Sequence, residues 1–415
     1  MRVDVTVLGA GIVGVCTALH LQQRGADVAL VDRTGPGEGA SFGNAGLIER
    51  SSVIPAAFPR KAAMLARYAL NRVPSVRFDP LYLLKSTPAL VSYWHNSSRL
   101  KLKSAIEAML PLIEASIAEH DALIEPAGAR DLVRADGWIG VWRTEAKFAA
   151  VSANLHGLGR FNLSYTVLDA DQLARVEPKI RTGPGGAVGG IHWHDPKTVT
   201  DPSELVKRYA ELFVRRGGRL LVGDAASLRA SAGLWTVKTE AHEVQARHAV
   251  LALGPQSAAF AGRFGYSLPL LMKRGYHRHY RMGEAMPFHA VADQERGFVM
   301  SPMTRGLRLT TGVEFARPDA PPNPSQLDHA EAEAALLLPL GDPVEETPWL
   351  GVRPCPPDMR PIIGPAPGTN GLWFNFGHAH HGLTIGPATG RLLAEMLTKE
   401  GTFADPTPYR PERFS

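Results

Sequence analysis

Cysteine is scarce, with only Cys16 and Cys355 among 415 residues. Two lone thiols exclude a disulfide framework, and without a C-x-x-C pair they exclude a thiolate metal site or an iron–sulfur cluster of the chain's own. Cys16 falls inside an apolar helical stretch and reads as a small buried hydrophobe. Apolar runs are also short, and none approaches the roughly 20 residues that a bilayer-crossing helix needs. Charge is nearly balanced, since 45 basic against 40 acidic side chains leave a formal +5. No repeat, linker or low-complexity tract is visible, and no leader precedes a strand that starts at residue 2. These absences predict a cytoplasmic protein, with peripheral attachment to the inner face of the cell membrane as the other open placement. A chain of 415 residues exceeds one compact core and predicts two domains.

What is present begins at once. Residues 1–14 read MRVDVTVLGAGIVG, a short apolar strand running into Gly9-x-Gly11-x-x-Gly14. An apolar helix follows with Ala18, Leu19 and Leu21, and a second strand, residues 27–31, ends on Asp32. Strand, glycine turn, helix, strand and acid in this order form a dinucleotide-binding unit. Gly9 permits the tight turn, Gly11 lets backbone approach a pyrophosphate, and Gly14 lets helix pack on strand. The helix N-terminus, with Ile12 and Val13, offers N–H groups and partial positive charge to the phosphates. Asp32, with Arg33 beside it, is placed for a ribose hydroxyl.

The positive charge is unevenly spread. Arg50, Arg60, Lys61, Arg67, Arg72, Arg77, Lys85, Arg99, Lys101 and Lys103 face a single acid, Asp79. Met64, Leu65, Tyr68, Leu81, Leu84, Tyr93 and Trp94 are interleaved among them. A basic amphipathic segment fits an anionic membrane surface, at about 1 kcal/mol per basic residue near the headgroups. A solvated basic face over an ordinary core fits equally well. Nucleic acid fits less well and is not expected as a partner.

Further along, residues 103–125 carry apolar positions at helical spacing, with Pro111 as a possible bend. Asp201-Pro202-Ser203-Glu204 is an N-cap, a first-turn proline and an early acid, and Gly217-Gly218 stops the helix that follows. Strands are expected at residues 219–223, 234–238, 243–246 and 248–253, then at 276–280, 297–300 and 307–314, before an acidic helix at 326–338. The order predicts an α/β fold: a Rossmann-like dinucleotide-binding domain interleaved with an α+β substrate domain built on an antiparallel sheet. The predicted division gives residues 1–60, 195–262 and 355–415 to the first, and 61–194 and 263–354 to the second.

Four segments carry the chemistry. Ala40-Ser41-Phe42-Gly43-Asn44-Ala45-Gly46 has the small residues that let backbone lie against a flat ring or a phosphate. Arg274-Gly275-Tyr276-His277 is the second. In Gly351-Val352-Arg353-Pro354-Cys355-Pro356-Pro357-Asp358, prolines stiffen the backbone around one arginine, which suits a fork aimed at a carboxylate. An internal ion pair of Arg353 with Asp358 is the alternative. The fourth segment, residues 376–391, holds His378, His380 and His381. No cysteine or acid stands nearby as a third ligand, so no metal is expected. Pro387 reads there as the start of a helix whose N-terminus faces the pyrimidine end of a flavin.

GAGIVG, ASFGNAG, GVRPCPPDMRPIIG, GHAHHGLTIGPATG and the terminal ERF together resemble, in order and over nearly the whole chain, the FAD-dependent D-amino-acid dehydrogenase and oxidase family. That family also contains glycine and sarcosine oxidases. RGYH and the GHxHxGLT form look most like its bacterial D-amino-acid dehydrogenase branch, which includes D-hydroxyproline dehydrogenases. The resemblance implies that Arg353 holds the substrate carboxylate, with Tyr276, His277 and His380 as further contacts at the reacting centre. It implies an FAD site lined by Gly9, Gly11, Ile12, Val13, Gly14, Asp32, Arg33, Ser41, Asn44, Ala45, Gly46, Leu47, Val222, Gly254, Gly377, His378, His381, Gly382, Leu383 and Thr384. Cys355 does not align with the cysteine that attaches flavin in sarcosine oxidase, so non-covalent FAD is expected. The implied reaction is oxidative deamination of a small or cyclic D-amino acid by hydride transfer to flavin, with electrons passed to a quinone or another carrier. An oxygen-using amine, glycine or sarcosine oxidase, and a flavin-bearing subunit of a larger electron-transfer assembly, are the alternatives.

Overall fold

The computed structural model describes residues 1–71, 73 and 75–414, so Arg72 of the basic segment lies outside the described residues. The strands Val28–Asp32, Arg2–Leu8, Glu243–Leu251 and Leu372–Phe376 lie side by side in that order, all parallel. Residues 219–222 of the strand Arg219–Ser231 extend the sheet beyond Val28–Asp32, and Ile362–Pro365 closes the other edge antiparallel. Leu234–Thr239 pairs antiparallel with both Arg219–Ser231 and Glu243–Leu251, the ribbon that the alternation after residue 219 predicts. The central strands are rich in valine and leucine because both faces are covered. On one face lie the helices Ile12–Gln23, Pro202–Arg215, Arg99–Ala127 and Gly382–Thr398. On the other, Trp235, Val237, Phe260 and Phe374 form a separate cluster.

A second, ten-stranded and mainly antiparallel sheet has Leu271–Tyr280 near one end, paired with Gly306–Thr310 and with Trp349–Cys355. Its other end is built from Trp138–Trp142, Gly189–Trp193 and Tyr165–Asp169. A small sheet of Leu47–Ile48, Lys197–Val199 and Val133–Arg134 lies apart from both. Among the described residues no helix is long and apolar enough to cross a membrane.

Two expectations need correction. The helix Arg99–Ala127, assigned by chain order to the substrate half, packs on the nucleotide half: Ile106, Met109, Leu112 and Ile113 join the core that contains Leu392 and Leu393. Periodicity reveals an apolar face but not what covers it. The C-terminal helix begins at Gly382, and Pro387 lies inside it. A proline there cannot donate to the carbonyl of Leu383. His120 takes that carbonyl instead, with Nε2 at 2.7 Å. A carbonyl can only accept, so Nε2 carries the proton and Nδ1 accepts from the Tyr209 hydroxyl at 3.0 Å. Burial pushes His120 down to about 4, so it stays neutral in this role.

Candidate functional site

The nucleotide cradle is formed by close backbone contact. Gly9 has φ +104°, and a Cβ there would sit 2.5 Å from the Ala252 carbonyl oxygen; one on Gly14 would sit 1.8 Å from that of Gly9. Gly11 caps the helix Ile12–Gln23 without a side-chain bond of its own, while Ser41 Oγ accepts from Ile12 N–H at 3.1 Å. Asp32 lies at the carboxyl end of its strand, where the N–H groups of Ala10, Thr34 and Gly35 hold its carboxylate at 2.7, 2.9 and 3.1 Å. Val222 is its register partner on the next strand and is 45% exposed, an apolar surface beside the acid. Arg33 is exposed, Val13 is half-buried, and Gly254 has φ +55°. A helix N-terminus whose cap residue is a glycine, a cradle of close backbone contacts, a fixed acid and an exposed valine fit the diphosphate, ribose and base of an adenine dinucleotide.

The loop after Asp32 is held from three directions. Asn44 Oδ1 accepts from Gly46 N–H at 2.8 Å, and Gly46 has φ +75° with Val199 O only 2.3 Å from where its Cβ would be. Thr384 Oγ1 donates to Leu47 O at 3.2 Å and accepts from Glu49 N–H at 3.1 Å, joining the loop to the first turn of the helix Gly382–Thr398. Ala45 and Leu47 pack into a tryptophan cluster. Arg308 donates through Nη1 to the carbonyls of Phe42, at 2.8 Å, and Asn44, and through Nε to His279. Burial lowers Arg308 to about 10. Sequence reasoning missed this arginine, because only the sheet brings it to the loop.

The second and third chemical segments meet on one face of the sheet. Arg353 is the register partner of Lys273, and its guanidinium lies against Gly275, where a Cβ would be 2.6 Å from Nη1. That contact explains the glycine of RGYH. Arg353 donates to the Gly312 carbonyl at 3.1 Å. Asp358 instead binds Arg360 at 3.0 Å and Arg413 at 2.7 Å, so the ion pair left open by the sequence does not form. Among the described residues no carboxylate pairs with Arg353. Lys273 lies beside it, bonded to the Tyr93 hydroxyl at 3.1 Å. Burial opposes the charge of Lys273, but Cys355 and Tyr93 raise its pKa overall.

Tyr276 does not reach this face. Its side chain projects with that of Arg274 to the other side of the strand, where its hydroxyl bonds Arg274, Glu314 and Asn323 N–H. Successive strand residues alternate faces, so adjacent Tyr276 and His277 cannot both meet a substrate. His277 is on the Arg353 side, stacked on Trp349 at 4.8 Å and near Phe42 at 5.6 Å. Burial first, and then the Arg308 charge, push His277 down to about 2.

The histidines of the fourth segment separate. His378 is turned into the helix, bonded to Thr389 at 2.9 Å, so its imidazole does not line the cleft as expected. His381 Nε2 meets Ser52 Oγ at 2.9 Å. His380 keeps an exposed surface while protein packs densely around its ring. Burial and the charges of His381, Arg353 and Lys273 hold it well below the usual histidine range. The third group absent from the local sequence arrives from far away: Glu49 comes with His380 and His381 into a group whose ligand atoms lie within 4.8 Å. Such distances would admit a metal, although the Ser52 bond already engages one ring nitrogen. Burial pushes the Glu49 carboxyl up to about 7. Gly377 has φ +81°, and Gly382 and Leu383 begin the helix.

Three comparisons bear on this site. The family profile described as DAO, FAD dependent oxidoreductase, matches residues 4–396. The chain is 28% identical to a protein of Bradyrhizobium diazoefficiens named D-amino-acid oxidase, covering 99% of this chain and 98% of that one. It is also 28% identical to D-amino acid dehydrogenase 2 of Ralstonia nicotianae, over 98% and 99% of the two chains. In structure it is similar to glycine oxidase from Geobacillus kaustophilus, with a TM-score of 0.76 at 20% identity over 99% of this chain and 98% of the other. L-proline dehydrogenase from P. horikoshii gives 0.73 at 17% identity over 100% and 98%.

Proposed function

The chain belongs to the FAD dependent oxidoreductase family, and from that premise we propose that it deaminates D-amino acids oxidatively. The observation that carries the reading is Arg353, a deep cation held by one carbonyl and paired with no described carboxylate. Its fork would take the substrate carboxylate bidentately, with Lys273 adding positive charge. Gly275 leaves room for the guanidinium, and the Gly312 carbonyl fixes its orientation. The residues around Gly9, Asp32, Ser41, Gly46 and Thr384 would hold FAD non-covalently; burial pushes the Cys355 thiol up, away from the thiolate that covalent attachment needs. FAD, when bound, supplies the acceptor for the Cα hydrogen and its electron pair. The protein's share is orientation and exclusion of water, and the neutral His277 and His380 add no competing cation. The imine left behind takes up water and gives a 2-oxo acid and ammonia.

Electrons then pass to a quinone or another carrier, and the basic segment would bring the enzyme to an anionic membrane. In support, Leu81, Leu84, Val91 and Leu100 are 66, 75, 58 and 82% exposed, with Lys85, Arg99, Lys101 and Lys103 exposed among them. Sedimentation with vesicles containing anionic lipid, lost in high salt, is the expected result.

The deciding experiment is a visible spectrum of the purified protein during anaerobic addition of D-amino acids and their L-forms. Flavin bands that bleach with D-substrates support the reading. A yellow protein bleached by glycine or sarcosine and by no D-amino acid would move the assignment to the amine-oxidase alternative.

A further inference from the structure

A cavity of about 420 Å³ opens beside Glu49, within the size range of small-molecule sites. Its aromatic wall comes from two paired strands, Trp138–Trp142 and Gly189–Trp193. Strand alternation puts Trp138 and Trp142 on one face with Ile191 and Trp193, while Ile139 and Val141 enter the core behind. Gly140 lies between the two indoles of its strand; a Cβ there would meet Trp142 at 3.3 Å and Trp138 at 3.4 Å. Leu155 and Leu158 add to the hydrocarbon surface. Trp138, Trp142 and Trp193 keep 7, 8 and 8% exposure. Among the described residues that line the cavity, Glu49 is the sole ionisable group.

The cavity shares a wall residue with the group that contains His380. Glu49 lies in its wall and also in the group with His380 and His381. Ser52, another wall residue, bonds His381 at 2.9 Å. His380 in turn is close enough to Arg353 and Lys273 for both charges to act on it. The segments of His380 and Arg353 are joined by a bond from Ala379 N–H to the Pro354 carbonyl at 3.1 Å, so the guanidinium, His380, Glu49 and the tryptophan wall are successive neighbours. An amino acid held by its carboxylate at Arg353 would direct its side chain along this line.

We propose that the cavity is the side-chain subsite, and that the preferred substrates are D-amino acids with a large, flat, apolar side chain such as phenylalanine or tryptophan. The inference rests on the deamination proposed above and departs from the small or cyclic substrates that family resemblance implies. Indole faces and leucine carbon favour an aromatic ring through burial and tilted ring packing. A small side chain would leave the tryptophan wall wet. A basic side chain would have a single carboxyl to meet, that of Glu49.

The test uses the FAD-loaded, full-length protein with D-phenylalanine, D-tryptophan, D-alanine and D-proline, followed by flavin bleaching and by kcat/KM with a soluble dye. D-phenylalanine is expected to exceed D-alanine by about 30-fold or more, the scale on which an apolar pocket discriminates. Val151→Trp, which fills the cavity from an exposed helix, is expected to lower kcat/KM for D-phenylalanine at least tenfold more than for D-alanine. Melting temperature and FAD content show whether the variant is folded, and Leu158→Trp serves if Val151→Trp is not. Equal use of D-alanine or D-proline by the parent, or an equal loss for all substrates, overturns the proposal. A change confined to the KM of a quinone acceptor also overturns it and makes the cavity the acceptor site. Should no D-amino acid bleach the flavin, the deamination reading falls; calorimetric binding of 3-phenylpropionate against propionate then judges the cavity alone, and equal affinity overturns the subsite.

Discussion

Arg274 and Arg353 lie deep in the protein on opposite faces of the strand Leu271–Tyr280, two residues of one type in contrasting surroundings. Arg274 is wholly buried and meets Glu314 at 2.9 Å, the Tyr276 hydroxyl and the carbonyls of Arg317, Ala320 and Pro321. Arg353 has the Gly312 carbonyl, with no carboxylate partner among the described residues. A cation taken from water must be compensated, and on the first face the fold does this itself. On the second face the described residues supply no such partner, which is what the proposed capture of a substrate carboxylate needs. The contrast separates an arginine that builds the protein from one proposed to serve its chemistry, and it reverses the rank that sequence gives to neighbouring Tyr276.

Breaking the first face should have the largest effect. Arg274→Ala strands Glu314 without its nearest buried cation and is expected to remove about 3–5 kcal/mol of stability, read by urea unfolding. A loss below about 1 kcal/mol would erase the contrast. Arg353→Ala should act on the other axis, lowering kcat/KM by roughly 2–4 kcal/mol, about 30- to 1000-fold, with little change in unfolding midpoint. Near-normal turnover would remove Arg353 from the site. Tyr276→Phe is smaller and sharper: about 1–3 kcal/mol of stability should go with the hydroxyl that serves Glu314 and Asn323 N–H, while kcat/KM is unchanged. A selective fall in turnover would return Tyr276 to the reaction.

The smallest expected effect concerns Glu49 and pH. Its folded carboxyl titrates near 7 against 4.5 in the reference state. Between those values the folded protein binds the extra proton, so stability falls as pH rises. Glu49→Gln removes that dependence in protein stripped of FAD. The gain in unfolding midpoint of the variant over its parent should be absent near pH 4, grow toward pH 7 and then level. A gain that shrinks as pH rises would mean that Glu49 is stabilised as a carboxylate, as a resident cation would do.

Legibility in the sequence followed contact distance along the chain. The glycine fingerprint, the Asp201 cap and the two-sheet plan rest on local spacing, and Asp201 does accept from Glu204 N–H as the cap requires. Arg353 stands out in the sequence as a candidate because prolines stiffen its own segment. Glu49, Arg308 and Lys273 do not, since each gains its role from residues brought near only by the fold. Pro387 misled because a helix normally excludes an interior proline; His120, more than two hundred residues upstream, supplies the donor that makes it acceptable. His378 and Tyr276 were misplaced by a single step of alternation or turn, which motif matching does not resolve.

The parallel sheet is completed out of chain order, and this bears on how the protein is made. Residues 249–251 of the strand Glu243–Leu251 receive their outer neighbour only when Leu372–Phe376 has been synthesised, and Ile362–Pro365 then seals the edge. At about 5–20 residues per second, the side of Ala249, Val250 and Leu251 waits on the order of ten seconds on the ribosome. An unpaired apolar edge is a template for pairing with other chains. The nascent polypeptide therefore carries an adhesive sheet edge in that interval, and a stop codon upstream of residue 372 leaves that edge open for good.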